Sequence, residues 1–145
     1  MRAALDEAKL AADADEVPVG AVLVDGSGQV LASDRNQTIE LADPTAHAEM
    51  LAIRSAALKT GNYRLLNTTL YATVEPCIMC MGAIIHARVS RVVFGSFDPK
   101  WGAAGSLYDF AKDNRLNHSP EVVSGVCEDE CKALLQGFFR AKRLK

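Results

Sequence analysis

Apolar residues recur at two different periods along this chain, and each change of period marks a new element. Ala4, Leu5, Ala8, Ala11 and Ala12 fall at helical spacing, which predicts a helix over residues 3–14 with Asp6, Glu7 and Lys9 turned to water. "PVGAVLV" then reads as a buried strand, "DGSG" at 25–28 as a tight turn, and "QVLAS" as the hairpin partner. After a polar loop through Asn36, "DPTAHAEMLAIRSAALKTG" reads as a helix with Asp43 as N-cap, Pro44 at the first helical position and Gly61 as its stop. Met50, Ile53 and Ala57, with Leu51 and Leu58 beside them, form the face expected to pack on a sheet.

The second half continues the alternation. "TTLYATV" (68–74) is a strand, 77–87 a helix, "RVVFG" (91–95) a strand, "EVVSGV" (121–126) a strand, and Glu128–Arg143 a closing helix. Strands alternating with helices predict a three-layer α/β/α domain whose mixed central sheet has about five strands, the first hairpin supplying its antiparallel part. The long irregular stretch 96–120 is a candidate binding surface, with a short helix expected near Leu107–Lys112.

Composition narrows the class. The 145 residues suit a single domain over 1–145, and a chain of this size removes about 70 % of its unfolded surface from water without any staple. With 49 % apolar and 23 % charged residues, and no apolar run near the roughly 20 residues of a membrane span, a soluble protein with no membrane partner is expected. "MRAALDEAKLAADADE" lacks the apolar core of a secretion signal, which favours the cytoplasm. A net charge of −2 argues against wholesale coating of nucleic acid. It leaves room for a local basic patch, and "FFRAKRLK" carries Arg140, Lys142, Arg143 and Lys145 without one acid.

The candidate chemistry centres on "VEPCIMCMG" (74–82), which holds two of the four cysteines. In a reducing compartment, thiols point to metal, catalysis or packing rather than a disulfide framework. Cys77 and Cys80 alone fit a redox dithiol, half of a metal site, or two core residues. "HAE" at 47–49 changes the weighing, because it too opens a helix after an extended segment, and two helix N-termini can converge where thiolates are favoured. Cys77 and Cys80 at i, i+3 with His47 make three ligands, and two thiolates plus imidazole suit zinc with an open fourth position. Glu49 lies about 200° around an ideal helix from His47, so it should not bind the same ion yet can serve proton transfer beside it. Ala48 between them offers little steric obstruction. Taken singly, His47 could be a cap or core residue and Glu49 a solvated first-turn acid. Cys127 and Cys131 read as buried thiols rather than a second metal site, and His86 and His118 as structural.

"HAE" with "PCIMC" is the established H-x-E and P-C-x-x-C signature of zinc-dependent nucleobase deaminases. "EVPVGAVLV", "DPTAHAE", "LYATVEPCIMCMGAI", "GAAGSL", "NH" and "FFR" further resemble, in order and along nearly the whole chain, the bacterial tRNA-specific adenosine deaminases. The resemblance implies a cytidine-deaminase-like fold and hydrolytic deamination of the wobble adenosine to inosine in a tRNA anticodon stem-loop. It implies one zinc per subunit, a homodimer, and Glu49 as the proton shuttle beside zinc-activated hydroxide. It also implies substrate contacts from Asn36 and Ala48, from Asp98 and Lys100 in "FDPKWGAAGS", and from Phe138, Phe139 and Arg140. Trp101 and Phe97 depart from the family, which commonly has threonine and a polar or basic residue there.

Two rivals remain. A deaminase of free guanine, cytosine or a nucleoside shares the site chemistry, although His47 weighs against the compact cytidine deaminases, and "DPTAHAE" and "FFR" favour the tRNA enzymes. A non-catalytic zinc-bearing RNA-binding subunit would be expected to lack the acid at Glu49.

Overall fold

The computed structural model describes residues 1–144, so Lys145 of the basic C-terminal run lies outside the described residues. The first helix, α1 (Arg2–Asp13), buries Ala4, Leu5, Ala8 and Ala11, four of the five positions singled out by spacing. β1 (Gly20–Val24) and β2 (Val30–Arg35) pair antiparallel across the expected turn. β3 (Thr69–Val74) pairs antiparallel with β1 and parallel with β4 (Arg91–Ser96), and β4 pairs parallel with β5 (Glu121–Val123). The order β2-β1-β3-β4-β5 is the mixed five-stranded sheet that the alternation predicted, with β5 three residues shorter than expected.

The two faces of the sheet are distinguished by alternation along the strands. Ala21 and Leu23 of β1 and Val92 and Phe94 of β4 join one core with Ala52 and Ile53 of α2 (Ala48–Thr60) and Met81 and Ile84 of α3 (Ile78–His86). The alternate positions Gly20 and Gly95 face α1 and α4 (Glu128–Arg143). A Cβ at Gly20 would lie 2.0 Å from the Ala4 carbonyl oxygen, and one at Gly95 2.3 Å from Cys131 Sγ. Only glycine lets these two helices seat so closely.

Three expectations are corrected. α2 starts at Ala48 rather than at Pro44, because Asp43 spends its side chain on the N–H and hydroxyl of Thr45 (2.8 and 2.7 Å), closing a turn in place of an N-cap. Its buried positions are Ala48, Glu49, Ala52, Ile53 and Ala56, while Leu58 is 85 % exposed. Small alanines permit close approach to the sheet, and that outweighs the larger apolar area of leucine. Third, the short helix expected near Leu107–Lys112 is a single 3-10 turn, Phe110–Lys112. Of the C-terminal thiols, Cys131 is buried and Cys127 is half-buried in a left-handed conformation (φ 54°). His118 Nε2 meets the Val89 carbonyl at 2.7 Å, a structural contact, and His86 is exposed.

Candidate active site

β3 and β4 run parallel, so their C-terminal ends open at one edge of the sheet, the usual place for a site in an α/β fold. Glu75, Pro76 and Cys77 follow β3, and Phe97 and Asp98 follow β4. β1 is antiparallel to β3, which brings Val17 and Val19 to the same edge, and β2 delivers Asn36 there. Helices α2 and α3 both start at this edge. The result is a cavity of about 780 Å³, large enough for a nucleobase with part of its sugar.

His47 and Cys77 occupy the N-cap positions of α2 and α3, both with extended backbone (ψ 152° and 179°) and neither with a side-chain cap hydrogen bond. An N-cap residue ordinarily uses its side chain on the first-turn N–H groups. Here those side chains are turned toward each other, and the positive ends of two helices favour negative charge between them. His47 Nδ1 lies 3.6 Å from both Cys77 Sγ and Cys80 Sγ. In a tetrahedral zinc site, Zn–N of about 2.0–2.1 Å and Zn–S of about 2.3 Å separate nitrogen from sulfur by about 3.5–3.6 Å. The spacing and the two-sulfur, one-nitrogen donor set therefore fit zinc, and this is the one such grouping among the described residues.

The electrostatics match that chemistry. A hydrogen bond from Cys80, and then the His47 ring, hold the Cys77 thiol down at about 4. Cys80 is pushed up by its bond to Cys77, by burial and by Glu49. His47 is raised by Cys77 and Glu49. Glu49, in the first turn of α2, is buried, and that burial raises its carboxyl to about 7. A carboxyl in that range can both accept and release a proton near neutral pH.

Asn36, His47, Ala48, Glu49, Cys77, Asp98 and Phe139 all line the cavity, and Cys80 lies buried beside them. Asn36 is buried with its Nδ2 donating weakly to the Val17 carbonyl (3.4 Å) and its Oδ1 without a partner, an acceptor open to a ligand. The Asp98 carboxylate accepts from the N–H groups of Lys100 and Trp101 (3.1 and 3.2 Å), so it shapes its own loop. Lys100, Phe138 and Arg140 are not among the lining residues. Phe138 is half-buried beneath Lys142, whose Nζ lies 5.5 Å from the ring centroid.

Sequence reasoning missed two buried acids. Glu16 accepts the backbone N–H groups of Ile39 (3.1 Å) and Glu40 (2.7 Å), fixing the wall that leads to His47. Glu75 accepts those of Asp98, Ala104 and Ser106 (3.1, 3.0 and 3.0 Å) on the other loop. The available signal was an acid placed directly against the end of an apolar strand segment, in "ADEVPVG" and "ATVEPC".

Comparison with known proteins agrees with this geometry. The family model described as cytidine and deoxycytidylate deaminase zinc-binding region matches residues 1–96, which include His47, Glu49, Cys77 and Cys80. The chain is 50 % identical over 143 residues to a tRNA-specific adenosine deaminase of Haemophilus influenzae, covering 99 % of this chain and 83 % of that protein. A solved structure from a study of A-to-I editing by tRNA:A34 deaminases at the wobble position superposes with a TM-score of 0.90 and 47 % identity, covering 93 % of this chain and 97 % of that one. A guanine deaminase of Bacillus subtilis follows at 31 % identity and TM-score 0.64, covering 99 % and 91 %. Near-complete coverage at half identity, on the same fold, makes this chain a member of the tRNA-specific adenosine deaminase family, within the zinc-dependent cytidine and deoxycytidylate deaminase fold.

Proposed function

We propose that the protein hydrolytically deaminates the wobble adenosine of a tRNA anticodon to inosine, with His47, Cys77 and Cys80 as zinc ligands and Glu49 as the proton carrier. The observation that carries this reading is Glu49, buried in the cavity wall beside the His47–Cys77–Cys80 cluster. The family likeness supports the RNA substrate.

The reaction exchanges the 6-amino group of adenine for oxygen from water: a C–O bond forms at C6, the C–N bond breaks, and ammonia leaves. Zinc, when bound, supplies the Lewis acidity that brings the pKa of water at the site to about 7, so a nucleophile exists at neutral pH. Glu49 takes the proton from the attacking water and hands it to N1 of the purine, and later moves a proton to the departing amine. Asn36 Oδ1 accepts a hydrogen bond from the base or its sugar, and the backbone at Ala48 forms the floor against the ring. The unpaired base must leave its stack to reach this depth. Phe139, 43 % exposed and lining the cavity, serves the flanking nucleotides together with Phe138, Arg140, Asp98 and Lys100.

We also infer a cytoplasmic homodimer. Four free cysteines suit a reducing compartment, and Leu58, Tyr63 and Leu66, each more than 60 % exposed, leave apolar surface for a second copy. No helix among the described residues is long and apolar enough to cross a membrane. Sedimentation as a monomer at assay concentration would remove the dimer.

The deciding experiment measures inosine in an anticodon stem-loop RNA carrying a wobble adenosine, beside Glu49→Ala and with free adenosine, guanine and cytidine in parallel. Product in the stem-loop, absent with Glu49→Ala, is expected. Ammonia from a free base with none from the RNA would replace the substrate and keep the chemistry. Tight RNA binding without any product would make the protein a non-catalytic subunit.

A further inference from the structure

Glu75 takes no part in the chemistry above, yet it is 2 % exposed and saturated with donors. Its Oε1 accepts from the Asp98 N–H (3.1 Å) and from the Ser106 hydroxyl, and its Oε2 from the N–H groups of Ala104 and Ser106 (3.0 Å each). The loop wraps the carboxylate so closely that a Cβ on Gly102 would lie 2.3 Å from Glu75 Cδ. Its base is clamped by two backbone bonds, Glu75 N–H to the Ser96 carbonyl (2.8 Å) and Ala103 N–H to the Pro76 carbonyl (2.9 Å). Asp98, itself held by Glu75, accepts the N–H groups of Lys100 and Trp101 and so turns the chain outward.

What this scaffold presents is aromatic surface. Trp101 is 63 % exposed and Phe97 47 %, and both line the cavity. Large rings held outward by a rigid loop at the rim of a base-sized cavity are suited to stacking unpaired bases.

We propose that Glu75 is a positioning residue that sets the 97–106 loop so that Trp101, backed by Phe97, stacks on a nucleotide flanking the target adenosine. The inference rests on the RNA-deaminase reading, and it assigns Glu75 to substrate binding rather than to proton transfer. A glutamine there keeps the shape but turns an amide donor toward N–H donors, which loosens the loop. The loop then loses its fixed presentation of Trp101 while the zinc-binding cluster keeps its side chains.

The test compares zinc-loaded wild type, Glu75→Gln, Trp101→Ala and the double variant on a wobble-adenosine stem-loop, with zinc content and thermal midpoint measured for each. Each single variant is expected to raise KM about tenfold, the loss of roughly one base–aromatic stack, with kcat within about threefold. The double variant is expected to be no worse than the weaker single, because both changes remove one interaction. Unchanged KM in Glu75→Gln, fully multiplicative effects, a fall in kcat at constant KM, or loss of zinc would each overturn the assignment. Should Glu75→Gln fail to fold, Ser106→Ala removes one of the four donors, and about a twofold to threefold rise in KM is expected, with no rise overturning the proposal. A wild type that makes no inosine in RNA overturns the functional reading and this inference together. An active wild type with an indifferent Glu75→Gln overturns this inference alone.

Discussion

Glu49 and Glu75 are the same residue type, both line one cavity, and their exposures are 4 % and 2 %. What separates them is the supply of donors. Glu75 takes three backbone N–H groups and a hydroxyl, all from one loop. Glu49 has its own backbone N–H, the His47 ring and the Cys80 thiol nearby, too little to offset burial, and its carboxyl rises to about 7. A buried carboxylate satisfied by donors is architecture, and one left short of them is poised to exchange a proton.

The two acids should part most widely when Glu49 is replaced. Glu49→Gln is expected to lower kcat for inosine formation by about 10³-fold or more, within the range of positioned acid–base groups and above, with zinc content retained. Its thermal midpoint should not fall, because the site holds an acid at a cost in stability. A midpoint well below wild type would make Glu49 a structural acid like Glu75. Removing the inner thiol tests the cluster between them: Cys80→Ala should reduce zinc to a small fraction of one per chain and lower the midpoint by several degrees, since bound metal stabilises only the folded state. Full zinc occupancy in that variant would dissolve the three-ligand assignment.

Glu75→Gln should show the opposite split from Glu49→Gln. Placing an amide against four donors costs about 1–3 kcal/mol, a drop of roughly 3–10 °C in the midpoint for a chain of this size, readable by calorimetry. The smallest effect is expected farthest from both acids. Lys142→Gln with Arg143→Gln should weaken stem-loop binding without changing kcat, and reduce the slope of log K against log salt by about 0.7 for each phosphate that is no longer neutralised. Lys142 Nζ already pairs with Asp15 at 2.7 Å, so a reduction nearer that of one phosphate than of two is expected. An unchanged slope would exclude this segment from the phosphates.

The grouping of His47, Cys77 and Cys80 and the sheet were legible because their signals are local and chemically restrictive. Few side chains can ligate zinc, so "HAE" and "PCIMC" stand out, and period-two runs such as "TTLYATV" mark strands without knowledge of their partners. The start of α2 was ambiguous for an equally local reason. An Asp two residues before a Thr serves either an N-cap or an Asx turn, and the structure uses Asp43 for the turn.

Glu16 and Glu75 lay beyond local reading for a different reason. Their partners are backbone N–H groups 23 to 31 residues away, and nearly every residue carries one, so no residue type betrays the contact. The burial of Leu58 was misjudged likewise, since the face a helix turns inward depends on how closely its alanines approach the sheet. The amino-acid sequence alone thus determined the order of elements and the His, Cys and Glu side chains offered to the candidate site, all written in residue identity and short spacing. Tertiary structure alone decided that two helix N-caps meet, that one buried glutamate goes hungry while another is saturated, and that Trp101 is held outward, because each depends on distances between segments far apart in the chain.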